Sequence, residues 1–266
     1  MNLEELLEPV TALAIEAGNA ILEVYATDFD VQSKSDDSPL TQADLASHRC
    51  IAAGLAALTP DIPIISEEDG LPDFDVRGKW ERYWLIDPLD GTREFVNRNG
   101  EFTVNIALID AHRPVFGVVY VPVQEKTYIG CEGRGSELRE DGQVTAIHVA
   151  AASSAPVRIV GSRSHRGTSL DAFLDKLGDH DMLPMGSSLK FCTIAEGNAD
   201  IYPRLGPTSE WDTAAAQAVV EQAGGQVLEL DGKPLSYNKK ADILNPWFLV
   251  TGPTDHDWLA LLADGE

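Results

Sequence analysis

At 266 residues, with 44% hydrophobic and 24% charged side chains, the chain has ordinary globular composition and can bury most of its unfolded surface, as one large domain or two lobes. Its 43 acidic and 20 basic residues leave a net charge of −23, which excludes a nucleic-acid polymer as partner, because a phosphate backbone is held mainly by Lys and Arg. The acidic N-terminus MNLEELLEPV is unlike a targeting segment, and the longest apolar stretch, Val115 to Val123, falls far short of the roughly 20 residues a membrane-spanning helix needs. Cys50, Cys131 and Cys192 cannot all pair and none lies in a C-x-x-C arrangement, so a reduced, cytoplasmic protein is expected.

Leu6, Leu7, Val10, Leu13, Ala14, Ala17 and Ile21 recur at helical spacing and predict a helix from Leu3 to Val24. Residues 25–40 are polar and read as a loop or short hairpin. A second helix is expected from Thr41 to Leu58, ended by Pro60. Short β-like runs follow at IPIIS, RYWLID, FTVNIALID, PVFGVVYVP and KTYIGCEG, separated by Gly, Pro and Asp turn signals. A polar hairpin spans Arg134 to Gln143, and the pattern changes near Ala155. PVRIVGS then reads as a buried strand, Ser169 to Leu177 as a helix, SLKFCTIAEG as a helix and DIYPR as a strand. DTAAAQAVVEQAG is Ala-rich and ends on Gly-Gly, as a helix should. The order suggests an α+β lobe over 1–153 and an α/β lobe over 154–266.

The strongest chemical feature is Trp84-Leu85-Ile86-Asp87-Pro88-Leu89-Asp90-Gly91-Thr92. An apolar strand delivers Asp87 and Asp90 where the chain turns toward a helix, and the Leu89 carbonyl is free to join them. Hard cations such as Mg²⁺ favour this mixture of carboxylate and carbonyl oxygens. Gly91 and Thr92 would present backbone N–H groups to a phosphate. Alone, Asp-Gly is a common turn and Asp90 an ordinary cap. Two further acidic sites favour the metal reading: Glu67 in SEED, at the end of another apolar strand, and Asp212 in WDTAAA, at the head of the Ala-rich helix.

These residues carry a resemblance. The chain is similar over nearly its whole length to the lithium-sensitive, magnesium-dependent phosphatase superfamily that includes inositol monophosphatase and fructose-1,6-bisphosphatase. DPLDGT and WDTAA resemble the superfamily, while GSSLKFC and YPRLGPT resemble its 3'(2'),5'-bisphosphate nucleotidase branch. The resemblance implies a layered αβαβα sandwich with the active site between two lobes. It implies one Mg²⁺ held by Glu67, Asp87 and the Leu89 carbonyl, and a second held by Asp87, Asp90 and Asp212. Asp44, with Thr92, would orient the attacking water, and a third, weaker Mg²⁺ is allowed. Glu68 follows Glu67 directly, which makes Glu67 the least constrained of these assignments. Two metals can stabilise both the attacking and the leaving oxygen of a phosphate ester, so no Ser or Cys nucleophile is needed.

The phosphate is then expected to meet Glu67, Leu89, Asp90, Gly91, Thr92 and Asp212. His165, Ser187, Ser188, Lys190 and Arg204 would meet the nucleotide and its second phosphate, since Lys and Arg supply charged donors matched to phosphate. Arg98 and Lys34 read as solvated charges. The implied reaction is hydrolysis of adenosine 3',5'-bisphosphate to AMP and phosphate, a step in sulfur metabolism. An inositol monophosphatase or sugar bisphosphatase of the same fold is the alternative, and a non-catalytic metal or anion binder the third reading. The resemblance also allows a peripheral place on the inner membrane face.

Overall fold

Leu7, Val10, Ala14, Ala17 and Ile21 are all buried along one side of α1 (Leu7–Tyr25), as their spacing requires. The structure, a computed structural model, describes residues 1–27, 39–163, 167–254 and 256–262. Helix α2 (Pro39–Leu58) begins two residues before the Thr41 expected from the sequence. A proline suits a first turn, where its missing N–H costs nothing and its fixed φ is already helical.

Next come β1 (Ile64–Ser66), the short α3 (Phe74–Arg77), β2 (Arg82–Asp90), α4 (Thr92–Val96), β3 (Thr103–Asp110), β4 (Arg113–Val121), β5 (Lys126–Cys131), β6 (Gly135–Glu140) and β7 (Gln143–Ile147). These strands form one seven-stranded sheet in sequential order, with β1 parallel to β2 and every later neighbour antiparallel. Strands β2 to β4 are buried on both faces, which is why they read as nearly continuous apolar runs rather than as alternation.

The rest of the chain supplies β8 (Val157–Ser162), α5 (Thr168–Leu177), β9 (His180–Met185), α6 (Leu189–Ala195), β10 (Ile201–Arg204), α7 (Ala214–Gln222), β11 (Gln226–Glu229) and β12 (Phe248–Thr251). Its strands form a five-stranded sheet in the order β11-β12-β10-β8-β9, parallel through β10, β8 and β9 and antiparallel at β12 and β11. The sequence pattern did not reveal β9, β11 or β12. β9 is an edge strand that carries Pro184, a residue tolerated only where no ladder hydrogen bond is needed. β11 and β12 have only four residues each, too few to show a period.

Three apolar clusters stack these parts. One lies between α1, α2 and the outer face of the first sheet. A second joins the inner face of that sheet, α6, α7 and the second sheet. A third lies between the second sheet, α5 and Trp258. The layers therefore run αβαβα. Helix α7 is Ala-rich because it is sandwiched: Ala214, Ala215, Ala216, Ala218, Val219 and Val220 are all essentially inaccessible. It sits so close to the first sheet that a Cβ on Gly117 would lie 2.3 Å from the Ala215 carbonyl oxygen, and one on Gly130 2.4 Å from that of Ala218. The helix expected to start at Asp212 starts at Ala214. Glu210–Asp212 instead forms a 3-10 turn, closed by reciprocal capping between Ser209 and Asp212.

Candidate active site

Successive strand residues point to opposite faces, so Asp87 and Asp90, three apart, would diverge on a regular β2. The pairing with β3 prevents this. Asp87 faces Asn105 and Asp90 faces Thr103, so three steps on β2 match two on β3, a bulge that turns both carboxylates to one side. Helix α2 fastens this end of the sheet. Ser47 Oγ donates to the Pro88 carbonyl at 2.7 Å, and His48 Nδ1 meets Ser66 Oγ at 2.8 Å. Asp44 lies three and four residues before these anchors, hence on the same helix face, and is buried within electrostatic reach of Asp87. Glu67 leaves β1 beside β2, its N–H on the Ile86 carbonyl at 3.3 Å.

Glu67, Asp87 and Asp212 each bring a carboxylate oxygen within 4.8 Å of the others; neither Glu68 nor the expected ligand Asp90 belongs to this group. Glu67 as a residue is exposed, yet its carboxylate lies among these acids. Asp87 is 1% exposed; its Oδ1 accepts the Leu89 N–H at 3.1 Å, and its Oδ2 is buried with no hydrogen-bond partner among the described residues. Asp90 Oδ2 accepts the Ser188 N–H at 2.6 Å, and Asp212 Oδ2 accepts that of Ser209 at 2.9 Å. Gly91, at φ +97°, turns the chain into α4 and brings Thr92 to the rim.

Gathering these acids has an electrostatic consequence. Burial, and then Asp212, Asp90 and Glu68, push Glu67 up to about 7. Burial and Asp212 push Asp90 up to about 7 against the opposing pull of Lys190. Asp87 is raised well above the usual carboxylate range by burial and by Glu67, and Asp212 is raised chiefly by burial. A protein that needs these groups ionised must supply compensating positive charge.

The sign of the pH effect follows. Between roughly pH 4 and 7 the folded chain binds protons that ordinary unfolded carboxylates have released, so its stability falls as pH rises through this window. In EDTA, the melting temperature is expected to be lower at pH 7.5 than at pH 6, with a shallower slope in Glu67→Gln. Equal slopes in the two proteins would remove Glu67 from the cluster.

Beside the acids lies a cleft of about 290 Å³ lined by Asp90, Thr92, Ser187, Lys190, Tyr202 and Arg204, among others. Ser188 caps α6, and Ser187 before it has φ +40°. The Lys190 ammonium donates to the Ser187 carbonyl and sits 5.6 Å from the centre of the Tyr202 ring. Burial lowers it to about 8; Asp90 opposes this and Arg204 adds to it. Arg204, at the end of β10, donates to the Pro207 carbonyl, while its Nε is buried without a partner among the described residues.

The structure thus brings together Asp44, Glu67, Asp87, Leu89, Asp90, Gly91, Thr92, Ser187, Ser188, Lys190, Arg204 and Asp212. His165 and Lys34 lie outside the described residues. Arg98 is no free solvated charge: it donates to the Tyr25 and Thr27 carbonyls and packs on the Tyr25 ring. Sequence reasoning missed Thr103 and Asn105, buried polar groups of β3 that hold the Ser188 hydroxyl at 2.8 Å each. Their signal was present, as polar interruptions in the apolar run FTVNIALI. It also missed Glu101, which accepts the Gly186 N–H and pairs with Arg163.

Residues 2–260 match the family described as "Inositol monophosphatase family". The chain is 52% identical over 248 residues to the 3'(2'),5'-bisphosphate nucleotidase CysQ of Escherichia coli O157:H7, covering 92% of this chain and 99% of that one. It is 34% identical to the protein of the same description from Haemophilus influenzae, over 97% of both chains. The crystal structure of CysQ from Bacteroides thetaiotaomicron superposes with a TM-score of 0.81 at 41% identity, covering 92% of this chain and 96% of that one. Among the described residues no helix is long and apolar enough to cross a membrane, and nothing in the fold or these comparisons supports the peripheral membrane position.

Proposed function

Because the chain belongs to the inositol monophosphatase family, we propose that it is a Mg²⁺-dependent phosphatase that hydrolyses the 3'-phosphate of adenosine 3',5'-bisphosphate to give AMP and phosphate. The observation that carries this reading is the convergence of Glu67, Asp87 and Asp212 next to a cleft containing Lys190 and Arg204. The acidic side suits cations, and the basic side suits a second anionic group on the substrate. The reading takes Glu67, Asp87 and Asp90 from a first lobe, 1–153, and Asp212, Lys190 and Arg204 from a second, 154–266. Cys50, Cys131 and Cys192 are all unpaired, which supports a reducing, cytoplasmic setting.

The residues fit Mg²⁺. Their donors are hard oxygens, and the buried Asp87 Oδ2, without a hydrogen-bond partner among the described residues, is a lone-pair donor suited to a Lewis acid. Glu67, Asp87 and the Leu89 carbonyl would hold one ion; Asp87, Asp90 and Asp212 would hold the second. Bound Mg²⁺ supplies positive charge that neutralises the phosphoryl group and the leaving oxygen and makes nearby water more acidic.

The remaining roles belong to the chain. Asp44 and Thr92 orient the attacking water, Asp44 as acceptor and Thr92 through its hydroxyl. The Gly91–Thr92 backbone positions the phosphoryl oxygens. Lys190 and Arg204, both lining the cleft, fix the second phosphate. Ser187, Ser188 and His165 complete the nucleotide contacts.

A substrate panel tests this. Phosphate release with Mg²⁺ should be fastest on adenosine 3',5'-bisphosphate and much slower on inositol 1-phosphate and fructose 1,6-bisphosphate; the reverse order would make the protein an inositol or sugar phosphatase of the same fold. At saturating Mg²⁺, Lys190→Ala and Arg204→Ala should each weaken use of the bisphosphorylated nucleotide by about 1.5–3 kcal/mol, the worth of a charged hydrogen bond. A small monophosphate should lose much less. Equal losses on both substrates would make these residues structural.

A further inference from the structure

Arg77 is a charged residue with no exposed surface, lying between the SEED and DPLDGT segments and part of neither. It lies in the excursion between β1 and β2, the segment that begins with Glu67. Its guanidinium donates to Asn238 Oδ1, to the Ala241 carbonyl at 2.6 Å and to the Pro72 carbonyl at 3.2 Å. Asn238 answers from its own Nδ2 to the Arg77 carbonyl at 2.6 Å. With φ at +55°, Asn238 also points its N–H at both carboxylate oxygens of Glu210, each at 2.9 Å. Glu210 is 2% exposed and opens the three-residue turn that ends in Asp212. The segment from Asn238 to Asn245 also holds that turn from a second side. Asn245 donates to the Ser209 carbonyl at 2.8 Å and to Thr213 Oγ1 at 3.1 Å, and the Glu210 N–H meets the Ile243 carbonyl at 2.9 Å.

We propose that Arg77 and Asn238 are positioning residues: a buried latch that fastens the Glu67 excursion to the Asp212 turn and so sets how well the carboxylates of the two sheets grip a divalent cation. The inference rests on the metal-centre reading above. Burying a guanidinium and a carboxylate is costly, and well-packed apolar residues of similar volume can often replace buried charges at no loss of stability. What apolar residues cannot do is fix the turn carrying Asp212 in register with the segment carrying Glu67. Groups behind ligands that orient them commonly matter for affinity by about tenfold or more.

Mg²⁺ titration of the full chain by calorimetry, followed by thermal melts, tests the latch. Arg77→Lys keeps the charge but loses the planar fork, and Asn238→Gly keeps the left-handed backbone but loses the side chain. Each should weaken Mg²⁺ binding by about tenfold. The double variant should bind no worse than about twofold below either single one, because both cut one path. Folded variants that bind Mg²⁺ as tightly as wild type, whatever their melting temperatures, overturn the latch alone. A wild-type chain that takes up no Mg²⁺, with Asp87→Asn indistinguishable from it, overturns the metal-centre reading and the latch with it.

Discussion

Asp87→Asn is expected to lower turnover at least about a thousandfold, roughly 4 kcal/mol of transition-state stabilisation. The side chain keeps its shape, so the loss measures chemistry rather than packing. Asp87 is buried, its Oδ1 is occupied by the Leu89 N–H, and its Oδ2 has no hydrogen-bond partner among the described residues. On the proposed reading, the amide removes the one charge that both cation positions would share. It either turns an N–H₂ group toward Glu67 and Asp212 or sacrifices the Leu89 bond. Stability should move the other way. Glu67, Asp90, Asp212 and Asp44 all raise Asp87 by repulsion, so removing its charge relieves the metal-free fold. In EDTA the variant should melt higher than wild type at pH 8, while its activity has collapsed. A variant that retains a tenth of wild-type turnover at saturating Mg²⁺ removes Asp87 from the site.

Chelation should be equally severe. After exhaustive EDTA treatment, phosphate release should fall to background and return as Mg²⁺ is added over the low-millimolar range, since Mg²⁺ gives up its own water reluctantly to carboxylates. Ca²⁺ should compete for the same oxygens but support little turnover, because its looser coordination would misplace the water that the proposed mechanism has Asp44 and Thr92 aim. Li⁺ should inhibit, as the family resemblance implies, and Asp90→Asn should alter that sensitivity together with the Mg²⁺ requirement. Release that continues near the Mg²⁺-supported rate without free metal would sink the metal-dependent mechanism, whatever the substrate.

Much of the site was readable in the chain because its acids sit at the ends of apolar strands, where hydrophobic residues mark the strand and the charge marks its exit. Glu67 and Asp87 follow that rule, and β1 and β2, being parallel, bring their ends together. Asp212 was readable as the head of an Ala-rich helix, although the turn that presents it is 3-10 and separate from α7. The bulge that reconciles Asp87 with Asp90 was not readable, since it arises from pairing with Thr103 and Asn105 across the sheet. Nor was the role of Arg77: its partners Asn238 and Ala241 lie more than 160 residues away, and an arginine in a polar stretch resembles a surface charge. The three strands missed in the second sheet are short or proline-bearing, so they depend on neighbours that local pattern does not show.

The seat of α7 on Gly117 and Gly130 bears on how this fold can drift. A side chain added at Gly54 meets the flexible tip of Leu13, and a shorter residue there would act as a second-site suppressor. A side chain added at Gly117 or Gly130 meets the carbonyls of Ala215 and Ala218, which every residue type carries. No substitution in α7 can remove them. Genetic rescue at these two glycines is therefore restricted to reversion or to displacement of the whole helix, and displacing the helix would drag the adjoining Asp212 turn out of register. Gly54 can wander among descendants of this sequence in company with residue 13. Gly117 and Gly130 are tied to the Asp212 turn through a helix that contributes no residue to the lining of the cleft, and a lineage that loses either one has no neighbouring mutation to turn to.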